Sequence, residues 1–400
     1  MKDTFFQLIQ RLLHRLPGSA TEAESPATAQ ETPSSSSRSR RWKRSSGYPN
    51  GDRAYFGEEL WGASAQHRNA GTDETKLHRY NLPVLKSETE LAHLLGIPVG
   101  HLRWLTYDDP ADTVWHYIRS VIPKRRGGER VILAPKQMLK AVQRTVLREI
   151  LEKVPASSNA HGFVKSRSIV SNAQPHTGKA IVLNLDLKDF FPSITYPRVR
   201  GWFIAAGYAF PVASTLALLC TAHDRELFEH DGTRHYISVT PRTLVQGAPT
   251  SPALANLIAW RLDRRLDGLA RKHAFVYTRY ADDLTFSGDS LEAALHILRT
   301  AKHIIAEENF VLHPDKTRIF RRSSRQVVTG LVVNDQVNTP RAMRRRVRAI
   351  LHNARSTGLE AQNRHNHPNF RAYLYGMIGL IGMSNPQQAE QLRAELRSHE

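Results

Sequence analysis

Residues 280–286 read Tyr280-Ala281-Asp282-Asp283-Leu284-Thr285-Phe286, two adjacent carboxylates set among apolar residues. Neighbours on a regular strand point to opposite faces, so two adjacent acids converge only where the chain turns. The spacing predicts a hairpin over 276–286 with Asp282 and Asp283 at its tip. Crowded carboxylates in an apolar setting are costly unless cations neutralise them. Magnesium is a hard cation that takes a few carboxylates together with phosphate oxygens. Two such ions clamp the attacking and leaving oxygens of an in-line phosphoryl transfer. A bare pair of aspartates also occurs in ordinary surface turns, so the pair has to be weighed with what surrounds it.

Upstream, residues 181–192 read Ile181-Val182-Leu183-Asn184-Leu185-Asp186-Leu187-Lys188-Asp189-Phe190-Phe191-Pro192. An apolar strand delivers Asp186 at its end, and Pro192 stops the ladder. Alone, such an aspartate can simply cap the next turn. Between the two stretches, Leu244-Val245-Gln246-Gly247-Ala248-Pro249-Thr250-Ser251-Pro252 precedes a long helix expected over 252–272. Ser251 suits an N-cap and Pro252 a first helical position. Gly247 lets the backbone come close to a ligand. An ordinary capped loop accounts for Ser251 and Pro252 but gives no reason for Gln246.

The chain has 400 residues, 40% of them hydrophobic, enough for one large domain or two to three smaller ones with a sizeable core. A net charge of +19 favours a polyanionic partner. No apolar run is long enough to span a bilayer, and the basic runs lack the apolar face of a surface-lying helix. Nucleic acid is the expected partner and a membrane is not. The single cysteine, Cys220, excludes an intrachain disulfide framework and a cysteine-rich zinc site. The start, MKDTFFQLIQRLLHRL, lacks the continuous apolar stretch of a secretory signal, so a cytoplasmic protein is expected.

Residues 1–16 carry the period of a short amphipathic helix. Residues 17–52, rich in Ser, Pro, Ala, Thr and Arg, read as a disordered linker. Its basic knot, Arg38, Arg40, Arg41, Lys43 and Arg44, suits either a solvated tail or RNA contact. Order is expected from about residue 85. A helix over 87–95 has Ser87 as its N-cap and Glu90 three residues on. Strands at 115–122 and 130–134 flank the basic turn Lys124-Arg125-Arg126-Gly127-Gly128. A periodic helix covers 136–154, another 292–308, and strands fall near 317–321 and 326–333. From Pro340 the chain is basic and helical. No internal repeat is visible, and strands and helices mix without regular alternation, which favours an α+β fold. The expected division is an extension over 1–84, a body over 85–335 and a helical part over 336–400.

The order of these motifs, a strand ending in Asp186, then the Gln246-Gly247 loop and helix, then the Tyr280–Asp283 hairpin, resembles the palm of reverse transcriptases. The resemblance implies a right-hand polymerase fold: fingers and palm over 85–335, an antiparallel sheet packed on helices, and a thumb over 336–400. It implies two Mg2+ ions held by Asp186, Asp282 and Asp283. It places Gln246 and Gly247 against the incoming nucleotide and template base. It places Phe191 under the deoxyribose, where it blocks a 2′-hydroxyl, and Asp189 and Phe190 beside the triphosphate. Both phenylalanines also fit plain core packing. The basic turn resembles the fingers hairpin, with Arg130 and Lys124 meeting triphosphate charge. Arg125 and Arg126 fit a solvated run equally. The segment 308–317 resembles one that ends in a lysine near the pyrophosphate, which makes Lys316 a general acid.

Three further segments narrow the resemblance: Ala160-His161-Gly162-Phe163, Ser171-Asn172-Ala173-Gln174-Pro175-His176, and Val328-Thr329-Gly330. The pattern is similar to that of bacterial retron reverse transcriptases, and it covers residues 85–400. It implies a cognate structured non-coding RNA as template and primer, dNTPs as substrates, and an RNA–DNA hybrid product. Synthesis starts from a guanosine 2′-hydroxyl and yields branched multicopy single-stranded DNA, in phage defence with an effector protein. Asn172, His176, Val328, Thr329 and Gly330 are the expected RNA contacts. His161 and His176 also fit structural roles, and Thr329-Gly330 a strand bend. Arg341, Arg344, Arg345, Arg346 and Arg348 on one helix are expected to grip an RNA stem, or else form a solvated face. Two other readings stay open: a group II intron-like or abortive-infection reverse transcriptase, and a non-catalytic RNA-binding polymerase fold.

Overall fold

The structure, a computed structural model, describes residues 70–107, 111–112, 114–123, 128–230 and 232–399. The expected N-terminal helix and basic linker, and Lys124, Arg125 and Arg126, lie outside the described residues.

The chain opens with α1 (Glu74–Arg79), α2 (Glu88–Leu95), α3 (Val99–Thr106) and β1 (Ala111–Asp112). Next come β2 (Tyr117–Pro123), β3 (Glu129–Pro135), α4 (Gln137–Glu149), α5 (Ile169–Ala173) and β4 (Ile181–Lys188). They are followed by α6 (Tyr196–Ala205), α7 (Phe210–Cys220), β5 (Arg225–His230) and β6 (Thr233–Ser238). Then come α8 (Ser251–Ile258), α9 (Trp260–Lys272), β7 (Val276–Tyr280), β8 (Asp283–Gly288) and α10 (Leu291–Glu307). The chain ends with β9 (Val311–Leu312), β10 (Arg318–Arg321), β11 (Val327–Val328), β12 (Leu331–Val332), α11 (Arg341–Thr357), α12 (Phe370–Ser384) and α13 (Pro386–Arg397).

Order begins before residue 85. Asp73 caps α1 by accepting from the Lys76 N–H, and Leu77 is fully buried. Residues 70–84 therefore belong to the fold, and the expected boundary at 84 is too late. A buried leucine and a local cap outweigh the polar composition that surrounds them. Ser87 caps α2 as the sequence predicts, with Gly96 in the left-handed region at φ 67° closing it.

Two compact units divide the described residues. In the smaller, β1, β6 and β5 form an antiparallel sheet in that order. The larger holds everything else, including 242–400, so the expected boundary at 336 does not separate a compact unit. Within the larger unit, β10-β4-β8-β7 form an antiparallel sheet, with β9 pairing the end of β4. β4 is buried on both faces, which is why its sequence runs apolar rather than alternating. One face packs Val182 against Ala173, Val328, Leu331 and Val333. Helices α9 and α10 pack on each other and on the sheet.

The helix expected over 252–272 is two, α8 and α9, separated at Ala259. Thr250, already at φ −81° and ψ −23°, is the N-cap of α8, and Ser251 is its first helical residue. The Ser251 N–H bonds the Ala248 carbonyl, so the preceding turn winds into the helix one residue early. The C-terminal helices share a core of Val347, Leu351 and Ala354 from α11, Leu374, Ile378 and Ile381 from α12, and Leu392 and Leu396 from α13. No helix among the described residues is long and apolar enough to cross a membrane.

Candidate active site

The buried strand β4 ends at the site. β8 pairs with it antiparallel, and the register sets Asp186 opposite Asp283. β7 pairs with β8 so that Tyr280 faces Asp283, which leaves Ala281 and Asp282 as a two-residue turn. Ala281 takes φ 56°, a left-handed conformation unusual for a residue with a Cβ. The Asp282 carbonyl accepts from the Leu187 N–H at 2.9 Å, tying the hairpin tip to β4. Three acids from distant parts of the chain thus meet at one strand end, two of them beside the turn that their adjacency demands.

Their electrostatics follow from crowding. Loss of water, then the Asp186 charge, raises the Asp282 pKa, while Lys316 and Arg130 pull it back. Asp283 is pushed up to about 7, by desolvation first and then by Asp282 and Asp186. Asp283 is the most exposed residue of its strand, so water offsets part of the desolvation and the repulsion from its two neighbours dominates. The Lys316 Nζ donates to both carboxylate oxygens of Asp186 at 2.9 Å. Among the described residues no three acid, histidine or cysteine side chains close as a finished metal site. The donor chemistry nevertheless fits one: hard oxygen ligands held close together, with two carboxyls resisting ionisation for want of compensating charge. Members of the family identified below use divalent metal ions.

A buried network that the sequence reading missed supports the hairpin. Arg279, fully buried on β7, donates through Nε and one terminal nitrogen to the two Asp263 oxygens, both at 2.7 Å. Its other terminal nitrogen reaches Asn256 Oδ1 at 2.9 Å and the Ala281 carbonyl at 3.1 Å. Asn256 Nδ2 in turn donates to the Gly162 carbonyl at 2.9 Å. An arginine inside an apolar strand was the available signal, because a buried guanidinium must find a carboxylate.

The residues expected around the nucleotide are placed as follows. Arg130 sits at the start of β3, exposed, with its charge felt at Asp282. Asp189, at φ 48°, turns the chain out of β4. Phe191 is half-buried, its ring tilted against that of Phe190 at 5.7 Å between centroids and that of Phe163 at 6.2 Å. Phe190 is buried against Phe310, which corrects its expected place beside the triphosphate: it packs the core. The Gln246 carbonyl accepts from the Leu133 N–H at 2.9 Å. Gly247, at φ 116°, lies where a Cβ would stand 2.7 Å from the Leu133 carbonyl oxygen. The close approach that requires glycine is therefore to β3, not to a ligand.

Three expected RNA contacts are corrected by burial: Asn172, His176 and Val328 are fully buried. Val328 covers the palm sheet. Thr329 and Gly330, at φ 46° and 83°, are the two central residues of the β11–β12 hairpin, both positive as a type I′ turn requires. Asn172 Nδ2 lies 3.5 Å from Thr329 Oγ1. His176 staples the site hairpin: its ring nitrogens bond Ser287 Oγ at 2.7 Å and Thr278 Oγ1 at 2.8 Å. Of the arginines, Arg341, Arg345 and Arg348 recur at i, i+4 and i+7 on the exposed side of α11. Arg346 is exposed off that stripe, and Arg344 is half-buried.

Burial, then the charges of His161 and Lys179, pushes the His176 pKa down to about 3 from 6.5. Above pH 6.5 the residue is neutral in the folded and unfolded chain alike. Below it, the unfolded chain takes up a proton that the folded chain refuses. Stability is expected to fall by about 1.4 kcal/mol per pH unit from this residue between pH 6.5 and 3. His161, pushed down to about 4 by burial and then Arg167, adds in the same direction. Urea unfolding of His176→Gln at pH 7 and 5 is expected to show a shallower loss than the parent chain. An equal loss would place the acid sensitivity elsewhere.

Comparison with known proteins agrees with this geometry. Residues 122–349 match the family described as Reverse transcriptase (RNA-dependent DNA polymerase). The chain is 48% identical to the retron Mx65 reverse transcriptase of Myxococcus xanthus, over 83% of this chain and 78% of that one. It is 39% identical to the retron Mx162 reverse transcriptase of the same organism, over 81% and 69%. It is 36% identical to the retron Ec86 reverse transcriptase of Escherichia coli, over 69% and 81%. With a strand-end aspartate registered against an Asp-Asp hairpin and with relatives this similar, the chain belongs to the reverse transcriptase family and is the RNA-directed DNA polymerase of a bacterial retron.

Proposed function

We propose that this polymerase copies its own structured non-coding RNA, starting from a 2′-hydroxyl of that RNA and leaving a branched RNA–DNA product. The observation that carries the chemistry is the meeting of Asp186, Asp282 and Asp283, where loss of water and then neighbouring charge push the carboxyls of Asp282 and Asp283 toward their neutral forms. Two Mg2+ ions bound there would supply the charge that lowers the pKa of the priming hydroxyl and steadies the leaving pyrophosphate. The chain's own residues do the rest. Asp186, Asp282 and Asp283 would hold the ions. Arg130 meets triphosphate charge from β3, and Asp189 lines the same side. Phe191 underlies the sugar and excludes a 2′-hydroxyl there. Gln246, with Gly247, borders the nucleotide and template base. Lys316, now paired with Asp186, donates a proton to the departing pyrophosphate. By the same resemblance, the 2′-hydroxyl priming, a role in phage defence with an effector protein, and action in the cytoplasm are proposed.

The test is to express the chain with its flanking DNA and examine the nucleic acid that co-purifies. DNA joined to RNA through a 2′–5′ bond, released by a debranching enzyme, is the expected result. RNA without attached DNA would overturn the reading.

The α11 stripe is proposed as the grip on an RNA stem. Arg345→Glu combined with Arg348→Glu is expected to weaken binding and to flatten the log–log salt slope by about 1.5. Filter binding across a salt series checks this, and an unchanged slope would remove the stripe from the interface.

A further inference from the structure

Phe163 combines exposure with a strained backbone. It is 56% exposed, although large and apolar. Its backbone sits at φ 61°, a conformation that costs an aromatic residue free energy. It is nevertheless held there from several sides. Gly162, just before it, lies so close to the site hairpin that a Cβ would stand 2.6 Å from the Ala281 amide nitrogen. The Gly162 carbonyl is bound by Asn256, itself held by Arg279. The His161 N–H donates to the Arg279 carbonyl at 2.7 Å, and His161 Nδ1 meets Ser171 Oγ at 2.9 Å. Arg167 reaches the carbonyls of Ser157, Ser158 and Ala160.

Burial does not explain why a phenylalanine is fixed in a strained and exposed pose. Where surroundings over-determine a strained residue, the strain belongs with function. The ring is also the outermost of a row: Phe163 beside Phe191, Phe191 beside Phe190, and Phe190 beside Phe310 in the core. The row runs from surface to interior next to the strand end that carries Asp186. An exposed aromatic face fixed by the backbone is a stacking surface for a base or sugar, and holding it in place beforehand lowers the entropy cost of binding.

We propose that Phe163 is a nucleotide-binding residue whose ring, with that of Phe191, forms a platform for the incoming deoxynucleotide. This rests on the reading of Phe191 as the residue under the sugar. The segment 157–167 then serves to present the ring, and the Arg279–Asn256–Gly162 chain couples its position to the Asp282 turn.

The strain makes the proposal testable apart from folding. Phe163→Gly removes the ring and relieves the left-handed backbone, so the variant is expected to melt at or above the temperature of the parent chain. With Mg2+, an oligo(dT)-primed poly(rA) template and dTTP, its KM for dTTP is expected to rise about tenfold, with a smaller change in kcat. Phe163→Trp should restore most of the loss, and Phe163→Leu should not. The proposal is overturned if KM is unchanged in the glycine variant, if leucine rescues as well as tryptophan, or if template affinity falls instead of nucleotide affinity. It is also overturned if the glycine variant is destabilised in step with its activity. The Phe191 reading fails separately: Phe191→Ala would then admit no ribonucleotides, whatever the dTTP result at Phe163.

Discussion

Asp283→Asn is expected to abolish DNA synthesis while leaving the chain at least as stable as before. The loss should be roughly three orders of magnitude or more, because Asp283 is proposed as a ligand to the charge that stabilises the transition state. The gain in stability comes from the same crowding. Asp283 is raised to about 7 from 3.8, so the folded chain keeps a proton that the unfolded chain gives up. The associated stabilisation is complete below pH 3.8 and is lost as pH rises through about 7. A neutral amide should retain it at pH 8, by on the order of 1 kcal/mol once solvent screening at this exposed position is allowed for. Mg2+ should stabilise the parent chain and do less for Asp283→Asn. Primer extension and thermal melts with and without Mg2+ at pH 8 check both halves. A variant that loses activity because it melts early, or one that still makes DNA, would contradict the site.

A turn at Asp282 was legible because strand geometry leaves adjacent acids no other way to converge, and β4 because a strand covered on both faces must run apolar. The same local reasoning recovered the Ser87 cap and the strands β2 and β3, which pair antiparallel. It failed where a residue's partner lies far along the chain. Gly247 carried the mark of a close approach, but the sequence does not say to what; the answer is Leu133, more than a hundred residues upstream. His176 looked available as a polar contact, yet two hydroxyls on β7 and β8 satisfy both its nitrogens in the core. Val328-Thr329-Gly330 could be read as a recognition motif when its physical content is a turn and a core valine. The Ser251 cap was lost by one residue, because the backbone before it was already helical.

Asp263 is where the largest loss of stability is expected. Asp263→Ala would leave the fully buried Arg279 guanidinium without its carboxylate, at a cost of about 3–5 kcal/mol. Tyr277, whose hydroxyl donates to Asp263 Oδ1 at 2.9 Å, would lose its partner as well. Replacing both ends of the ion pair, Asp263→Leu with Arg279→Met, removes the uncompensated charge and should recover most of that stability. Activity should not recover with it. Arg279 also holds the Ala281 carbonyl and Asn256, so the double variant loses those two restraints on the Ala281–Asp282 turn and keeps only the Leu187 tie to the Asp282 carbonyl. A displacement of about 1 Å at reacting groups costs on the order of a hundredfold in rate. Chemical unfolding of the single and double variants, beside single-turnover primer extension, separates the two effects. If Asp263→Ala melts like the parent chain, the pair contributes nothing to the fold. If the double variant polymerises at the parent rate, the hairpin is positioned by other contacts, of which the His176 staple is then the foremost.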